Sequence, residues 1–223
     1  MLPCRRCQTV RLGSSRVVPM VVRPVGVVEP LPLVVVRTGH TAVRQGEPCP
    51  DLWSIESGIF AVRMVNAEGR SFLIDLYGPG DPIGGPSELP AFVTATALRP
   101  ARLRPLRPED ALEVMNAVAA RMTVLTADLA WFGVAERIER RLSDLACRIG
   151  HPTQGGTLIP IRLTQDDLAS MVGATRETTN RALQTLFARG VLDRQGRGRY
   201  VVRSQLQLVT DAPPLGRARG LAL

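Results

Sequence analysis

Residues 163–190, LTQDDLASMVGATRETTNRALQTLFARG, read as two short helices joined by a tight turn. Thr164 offers an N-cap hydroxyl, and Asp166 and Asp167 follow it at the positive end of the helix dipole. Leu168, Ala169 and Val172 then form one apolar face, Gly173 stands where a left-handed C-terminal residue is wanted, and Thr175 caps the next helix. In that second helix Thr179, Ala182, Leu183 and Leu186 recur at the period of a face packed on a core. Arg176, Glu177, Asn180, Arg181 and Gln184 are left to point outward. The bland account of Glu177 and Arg181 is a solvated i,i+4 ion pair. The spacing favours a sharper one, a helix-turn-helix whose arginines fork onto guanine edges while Glu177 accepts from a cytosine amino group.

Immediately downstream, VLDRQGRGRYVV contains two short β-type runs around a turn at residues 195–198. Arg194, Arg197, Arg199 and Arg203 stand there with no acid after Asp193, a composition suited to phosphate contact beside a recognition helix.

Residues 164–202 closely resemble the winged helix of the cyclic-AMP receptor / fumarate-nitrate regulator (CRP/FNR) family of bacterial transcription factors, with RETTNR at residues 176–181 matching the family's R-E-T-x-x-R recognition helix. The resemblance implies that Arg176, Glu177 and Arg181 read a TGTGA-like half-site. It also implies phosphate contacts from Thr164, Thr175, Thr178 and Arg197. Thr179 departs from the aliphatic residue usual at its buried position. The family acts as a homodimer on double-stranded DNA, with RNA polymerase as a further partner and no membrane partner.

The charge distribution agrees with that placement. Residues 24–133 carry nine arginines against twelve acids, whereas residues 134–209 carry twelve against seven. A footprint for a polyanion therefore sits where the motif sits. All 28 basic side chains are arginine, a bias more in keeping with a GC-rich genome than with guanidinium chemistry. No apolar run approaches the ~18–20 residues of a membrane span. The basic N-terminus is interrupted by Gly13 and Pro19 and lacks the apolar core of a secretory signal, so a cytoplasmic protein is expected. The readable chain opens near Met20, and residues 1–22 are expected to form a disordered basic tail or to precede the native start.

Catalysis finds no support. A cupin-like metal site needs clustered His and carboxylate, and the chain has only His40 and His151, in unrelated segments. Of the four cysteines, Cys4 and Cys7 have ligand spacing, Cys49 stands apart, and Cys147 reads as a core residue of a helix with Ile138, Leu142 and Leu145. Some members of the resembled family hold an iron–sulfur cluster on N-terminal cysteines, which keeps a redox or small-molecule sensor as the alternative reading. Two clustered thiols fall short of the usual four ligands, so no cofactor is expected.

Upstream, residues 31–106 alternate short β-type runs (LVVVR, LWSIES, IFAVRMV, SFLIDLY, FVTATAL, ARLRPL) with glycine and proline. Residues 66–69 are a hairpin signal and residues 78–81 a loop. The pattern predicts an all-β roll, and Gln45-Gly46-Glu47, Ser57-Gly58 and the loop ending at Asp81 resemble the family's sensor. Residues 108–132 then predict one long helix. Ala111, Met115, Val118, Met122, Leu125, Leu129 and Phe132 follow alternating steps of four and three, a dimer seam. The same stripe would also suit packing on the chain's own roll. Gly133 marks a hinge, residues 134–149 a helix opening the DNA-binding domain, residues 151–156 a loop and LIPIRL a strand.

The expected fold is α+β: a cyclic-nucleotide-binding-like jelly roll over residues 23–107, a dimerisation helix over 108–133, a winged helix-turn-helix over 134–209 and a disordered tail over 210–223. Cyclic-AMP binders of the resembled family place a glutamate on the ribose, an arginine on the phosphate and a hydroxyl pair on the adenine. Here Gly85 replaces the glutamate, with Glu88 nearby, no arginine occurs between Arg70 and Arg99, and Met122 with Thr123 stands at the hydroxyl pair. The expected regulator does not respond to cyclic AMP.

Overall fold

The computed structural model describes residues 33–49, 51–85 and 89–203. Cys4, Cys7, Glu88 and the two terminal tails lie outside the described residues. In chain order the strands β1 (Val34–Val36), β2 (Thr41–Val43), β3 (Leu52–Ser57), β4 (Phe60–Val65), β5 (Ser71–Tyr77), β6 (Pro82–Gly84), β7 (Thr94–Ala97) and β8 (Ala101–Pro105) are followed by the helices α1 (Pro108–Trp131) and α2 (Val134–Ile149). A hairpin, β9 (His151–Thr153) and β10 (Gly156–Leu158), precedes α3 (Gln165–Val172) and α4 (Arg176–Ala188), and the chain ends in β11 (Leu192–Arg194) and β12 (Tyr200–Val202).

The first eight strands build two antiparallel sheets, ordered β1-β8-β3-β6 and β2-β7-β4-β5. Val36, Val43, Ile55, Phe60, Ala95, Ala97 and Leu103 fill the space between them. Alternation is visible in β7, whose alanines at 95 and 97 are buried while its threonines at 94 and 96 are not. Gly58, at the β3–β4 turn, has φ of 100° and passes so close to β8 that an added Cβ would lie 2.5 Å from the Ala101 Cβ. Only glycine fits there. The hairpin at residues 66–69 closes as its sequence suggests, with the Asn66 side chain accepting from the Arg70 amide. Two three-residue strands escaped the pattern reading, β2 and β6, because Thr-Ala-Val and Pro-Ile-Gly lack the continuous apolar run that marks the equally short β1.

A third sheet, β11-β12-β10-β9, belongs to the C-terminal half. Two expectations are corrected there. Residues 151–153 are a strand rather than loop, and the strand expected at LIPIRL stops at Leu158. Pro160 has no amide to donate, so the ladder breaks into single bonds, Ile159 to Tyr200 and Leu163 to Gly198.

The roll and the C-terminal half share one apolar core. Ile59, Ala61, Leu73 and Leu76 of the roll join Ile138, Leu142 and Leu145 of α2, with Leu168, Val172, Leu183 and Leu186 of α3 and α4. The α2 residue Ile149 packs on Gly78 so closely that an added Cβ would lie 2.3 Å from its Cγ2. Cys147, expected in this core, is exposed instead. The buried line of α2 runs through Ile138, Leu142, Leu145 and Ile149, and position 147 falls outside it.

Candidate nucleic-acid interface

The two-helix unit forms where its caps place it. The Thr164 Oγ1 accepts from the Asp167 amide at 3.0 Å while the Asp167 carboxylate accepts from the Thr164 amide at 3.0 Å, a reciprocal capping box at the start of α3. Gly173 ends that helix with φ of 60°, in the left-handed region. Thr175 then caps α4, its Oγ1 accepting from the Thr178 amide at 3.2 Å. Thr179, Ala182, Leu183 and Leu186 are the buried face of α4.

The opposite face holds the expected base readers. The side chains of Arg176, Glu177 and Arg181 are 68%, 83% and 73% exposed. Glu177 and Arg181 make the i,i+4 contact at 3.4 Å, and Arg176 lies 3.8 Å from Asp166. At such exposure these pairs are worth a few tenths of a kcal/mol and yield readily to a base. Thr164 and Thr175 are exposed at the starts of α3 and α4, and Thr178, half-buried, bonds the Thr175 hydroxyl at 2.9 Å. Three hydroxyls thus stand at the positive starts of the two helices.

The wing lies beside the start of α3. Its strands pair Leu192 with Val202 and Arg194 with Tyr200, and the Leu163 amide donates to the Gly198 carbonyl at 2.8 Å. That bond ties the wing turn to the residue before Thr164, and Arg197 stands exposed on the turn. The four wing arginines are not equivalent, however. Arg203 is paired with Asp193, and Arg194 lies over the Phe187 ring at 5.2 Å from its centroid. Arg197 and Arg199 remain exposed.

The expected dimer seam is divided. Met115 and Leu129 are about half exposed, while Val118, Met122 and Leu125 are half-buried within the chain. Phe132 leaves the series: the helix ends at Trp131, Phe132 is extended, and Arg140 covers its ring at 4.5 Å. Leu112 and Trp131, outside the expected series, are among the most exposed apolar side chains of the helix.

Sequence reading missed a buried ionic joint. Asp75 at the end of the roll's β5 is fully buried, and Asp81 nearly so. Arg148 of α2 reaches Asp75 at 2.9 Å, Asp81 at 3.1 Å and Asp144 at 2.8 Å. Arg141 donates to the Ile74 carbonyl at 2.6 Å and lies 3.2 Å from Asp75. Arg121 of α1 donates to Asp81 at 2.7 Å and stacks over Tyr77. Burial pushes the Asp75 carboxyl up, but the guanidiniums of Arg141, Arg148 and Arg121 outweigh it and hold the group below the usual carboxylate range. Arg63 of β4 adds a second tie, to Asp167 in the α3 cap at 2.6 Å. No periodicity announces such pairs, since their members come from distant segments.

Among the described residues no cluster of three or more potential metal-ligating side chains occurs, and no helix is long and apolar enough to cross a membrane. Comparison with known proteins gives two domain matches, a cyclic nucleotide-binding domain over residues 33–117 and a Crp-like helix-turn-helix domain over residues 136–208. The chain is 30% identical over 184 residues to the CRP-like cAMP-activated global transcriptional regulator of Mycobacterium tuberculosis, covering 75% of this chain and 82% of that one. It is 27% identical over 178 residues to the cAMP-activated global transcriptional regulator CRP of Escherichia coli O157:H7, covering 70% of this chain and 83% of that one. Among solved structures, a CRP/FNR-family transcriptional regulator from Thermus thermophilus superposes with a TM-score of 0.66 at 23% identity, covering 78% and 94% of the two chains.

Proposed function

This chain belongs to the CRP/FNR family of transcription regulators, not of enzymes, and from that premise we propose that it is a sequence-specific activator that binds a palindromic TGTGA-like operator as a homodimer. The observation that carries the reading is the exposed arc of Arg176, Glu177 and Arg181 on α4, flanked by the Thr164, Thr175 and Thr178 hydroxyls and by Arg197 on the wing. A carboxylate on that face repels phosphate, so Glu177 is useful only against a base edge. Two such helices related by a dyad span about 34 Å and fix half-sites one helical turn apart. RNA polymerase is the partner through which a bound activator works.

We further infer that the roll does not respond to cyclic AMP, although the Mycobacterium and Escherichia relatives carry that activation in their names. Gly85 has no side chain to offer a ribose, and no arginine lies between Arg70 and Arg99. The nearby cations Arg121 and Arg148 are already committed to Asp75 and Asp81. The residues present do not fit the cyclic phosphate, where a bidentate arginine would be the main anchor.

Selection of bound genomic fragments by the purified full chain tests the reading. Arg176→Ala is expected to cost roughly 1–3 kcal/mol and relax one guanine position, while Arg197→Ala weakens all sequences alike and flattens the salt dependence. Equal loss on operator and random DNA in both variants would refute the base-reading assignment.

A further inference from the structure

Within the arc of proposed readers stands Asn180, fully on the exposed side of α4. At about 100° per residue it is turned about 40° from Arg176, whereas Arg181 is turned about 140°, so Asn180 lies between them. Its amide is not loose. Gln165, in the first turn of α3, donates its Nε2 hydrogen to the Asn180 Oδ1 at 2.9 Å and accepts from the Arg176 Nε at 3.4 Å. One glutamine side chain therefore holds both residues of the recognition helix. Among the described residues no other hydrogen bond engages the Asn180 amide. Its Nδ2 hydrogens and the second lone pair of its Oδ1 remain available.

A carboxamide with one donor and one acceptor free matches adenine, whose major-groove edge offers N7 as acceptor and N6–H as donor. In a TGTGA half-site the pair between the two guanines is T·A, which presents that adenine on the complementary strand. We propose that Asn180 is a fourth base reader, taking the adenine of this central pair, and that Gln165 is the positioning residue that orients its amide. The inference rests on the reading of α4 as the major-groove helix and adds a base position to it. Without Asn180 the guanines on either side would be contacted directly and the pair between them would be read only through the deformability of its pyrimidine–purine step.

The test uses the full chain and duplexes carrying inverted TGTGA half-sites in which the central T·A of each half is exchanged for the other three pairs. Wild-type affinity should fall roughly tenfold or more per half-site on exchange, the discrimination of one bidentate contact. Asn180→Ala should lose most of that discrimination, keeping at most what the deformability of the step supplies, while still rejecting duplexes that lack the guanines, since base positions contribute separately. Gln165→Ala should weaken discrimination at the same central pair more than the guanine preference read by Arg176, to which Gln165 makes only the longer 3.4 Å contact, and should leave the melting temperature unchanged. A merely structural Gln165–Asn180 bond predicts the reverse, a lower melting temperature and a uniform loss on every duplex, and that result overturns the inference. So does an Asn180→Ala protein that discriminates at the central pair as strongly as the wild type. A wild-type protein that selects the guanines but not the central pair removes this inference alone, whereas one indifferent to the guanines removes the whole reading face with it.

Discussion

The Arg148 guanidinium lies 2.9 Å from the Asp75 carboxylate, and this contact joins a helix of the DNA-binding half to a strand of the roll. Asp75 is fully buried and is also faced by Arg141 at 3.2 Å and Arg121 at 3.6 Å. A carboxylate placed in an apolar core is stable only with its partners in place. The joint therefore ties the roll, the long helix and α2 to one buried carboxylate, within the apolar core that the roll and α2 share.

Removing one partner should be costly. Asp75→Ala leaves buried guanidiniums without their shared counter-ion and is expected to lose about 3–5 kcal/mol in chemical unfolding. The same carboxylate sets the acid response. Its folded-state pKa lies below the ordinary 3.8, so its contribution is complete at neutral pH and is lost as pH falls below about 4 through the folded value. Asp75→Asn should therefore flatten the acid limb of the stability profile. An unchanged acid limb, or a loss under about 1 kcal/mol in the alanine variant, would show that the joint contributes little.

Thr179 gives the opposite sign. It is fully buried in α4, and its hydroxyl has no hydrogen-bond partner among the described residues. Thr179→Val keeps the volume and removes the unsatisfied oxygen, and is expected to stabilise by about 1 kcal/mol. The reading face is untouched, so operator affinity should stay the same. A destabilised valine variant would mean that the hydroxyl is satisfied in solution.

The helix-turn-helix was legible because its signals are local: Thr164, Asp167, Gly173 and Thr175 each act within four residues of their own position. The roll was legible as a class, since apolar runs, alternation and turn residues mark six of its strands but not β2 or β6. The joint was hidden because Asp75 and Arg148 are separated by 73 residues. A charged residue's hydropathy suggests a surface whichever way it faces. Cys147 misled for the related reason that an apolar residue near a helical stripe need not lie on it. Of the four wing arginines, only the folded structure reveals that Asp193 and Phe187 occupy two.

The long helix offers a direct check of the proposed homodimer. Leu112, Met115 and Leu129 leave an apolar line exposed along α1, at positions spaced to meet a second copy. Met115→Glu puts a charge into that line without disturbing the roll's core, and is expected to dissociate the dimer and abolish operator binding together. Leu125→Glu should do the same, with an added stability loss because Leu125 is half-buried in its own chain. Light scattering that still reports a dimer for Met115→Glu would remove α1 from that role.

The last prediction concerns the signal. A cyclic nucleotide brings one anionic phosphate into a closed roll, and an unpaired anion there meets a desolvation cost of several kcal/mol. A protein that binds it must supply a cation that is not already spent. Arg121 donates to Asp81 at 2.7 Å and Arg148 to the same carboxylate at 3.1 Å, and drawing either away would uncover the buried acids of the joint. The segment that would carry a dedicated arginine has none between Arg70 and Arg99, and Gly85 faces open space with no group for a ribose. On the long helix, the Thr123 hydroxyl donates to the Ala119 carbonyl, and Met122 has no hydroxyl to place beside it. Titration calorimetry at millimolar cyclic AMP is therefore expected to show no binding heat, and operator affinity should be the same with and without the nucleotide. A micromolar Kd would mean that the Asp81 pairs open to receive the phosphate, and the argument from charge would fail.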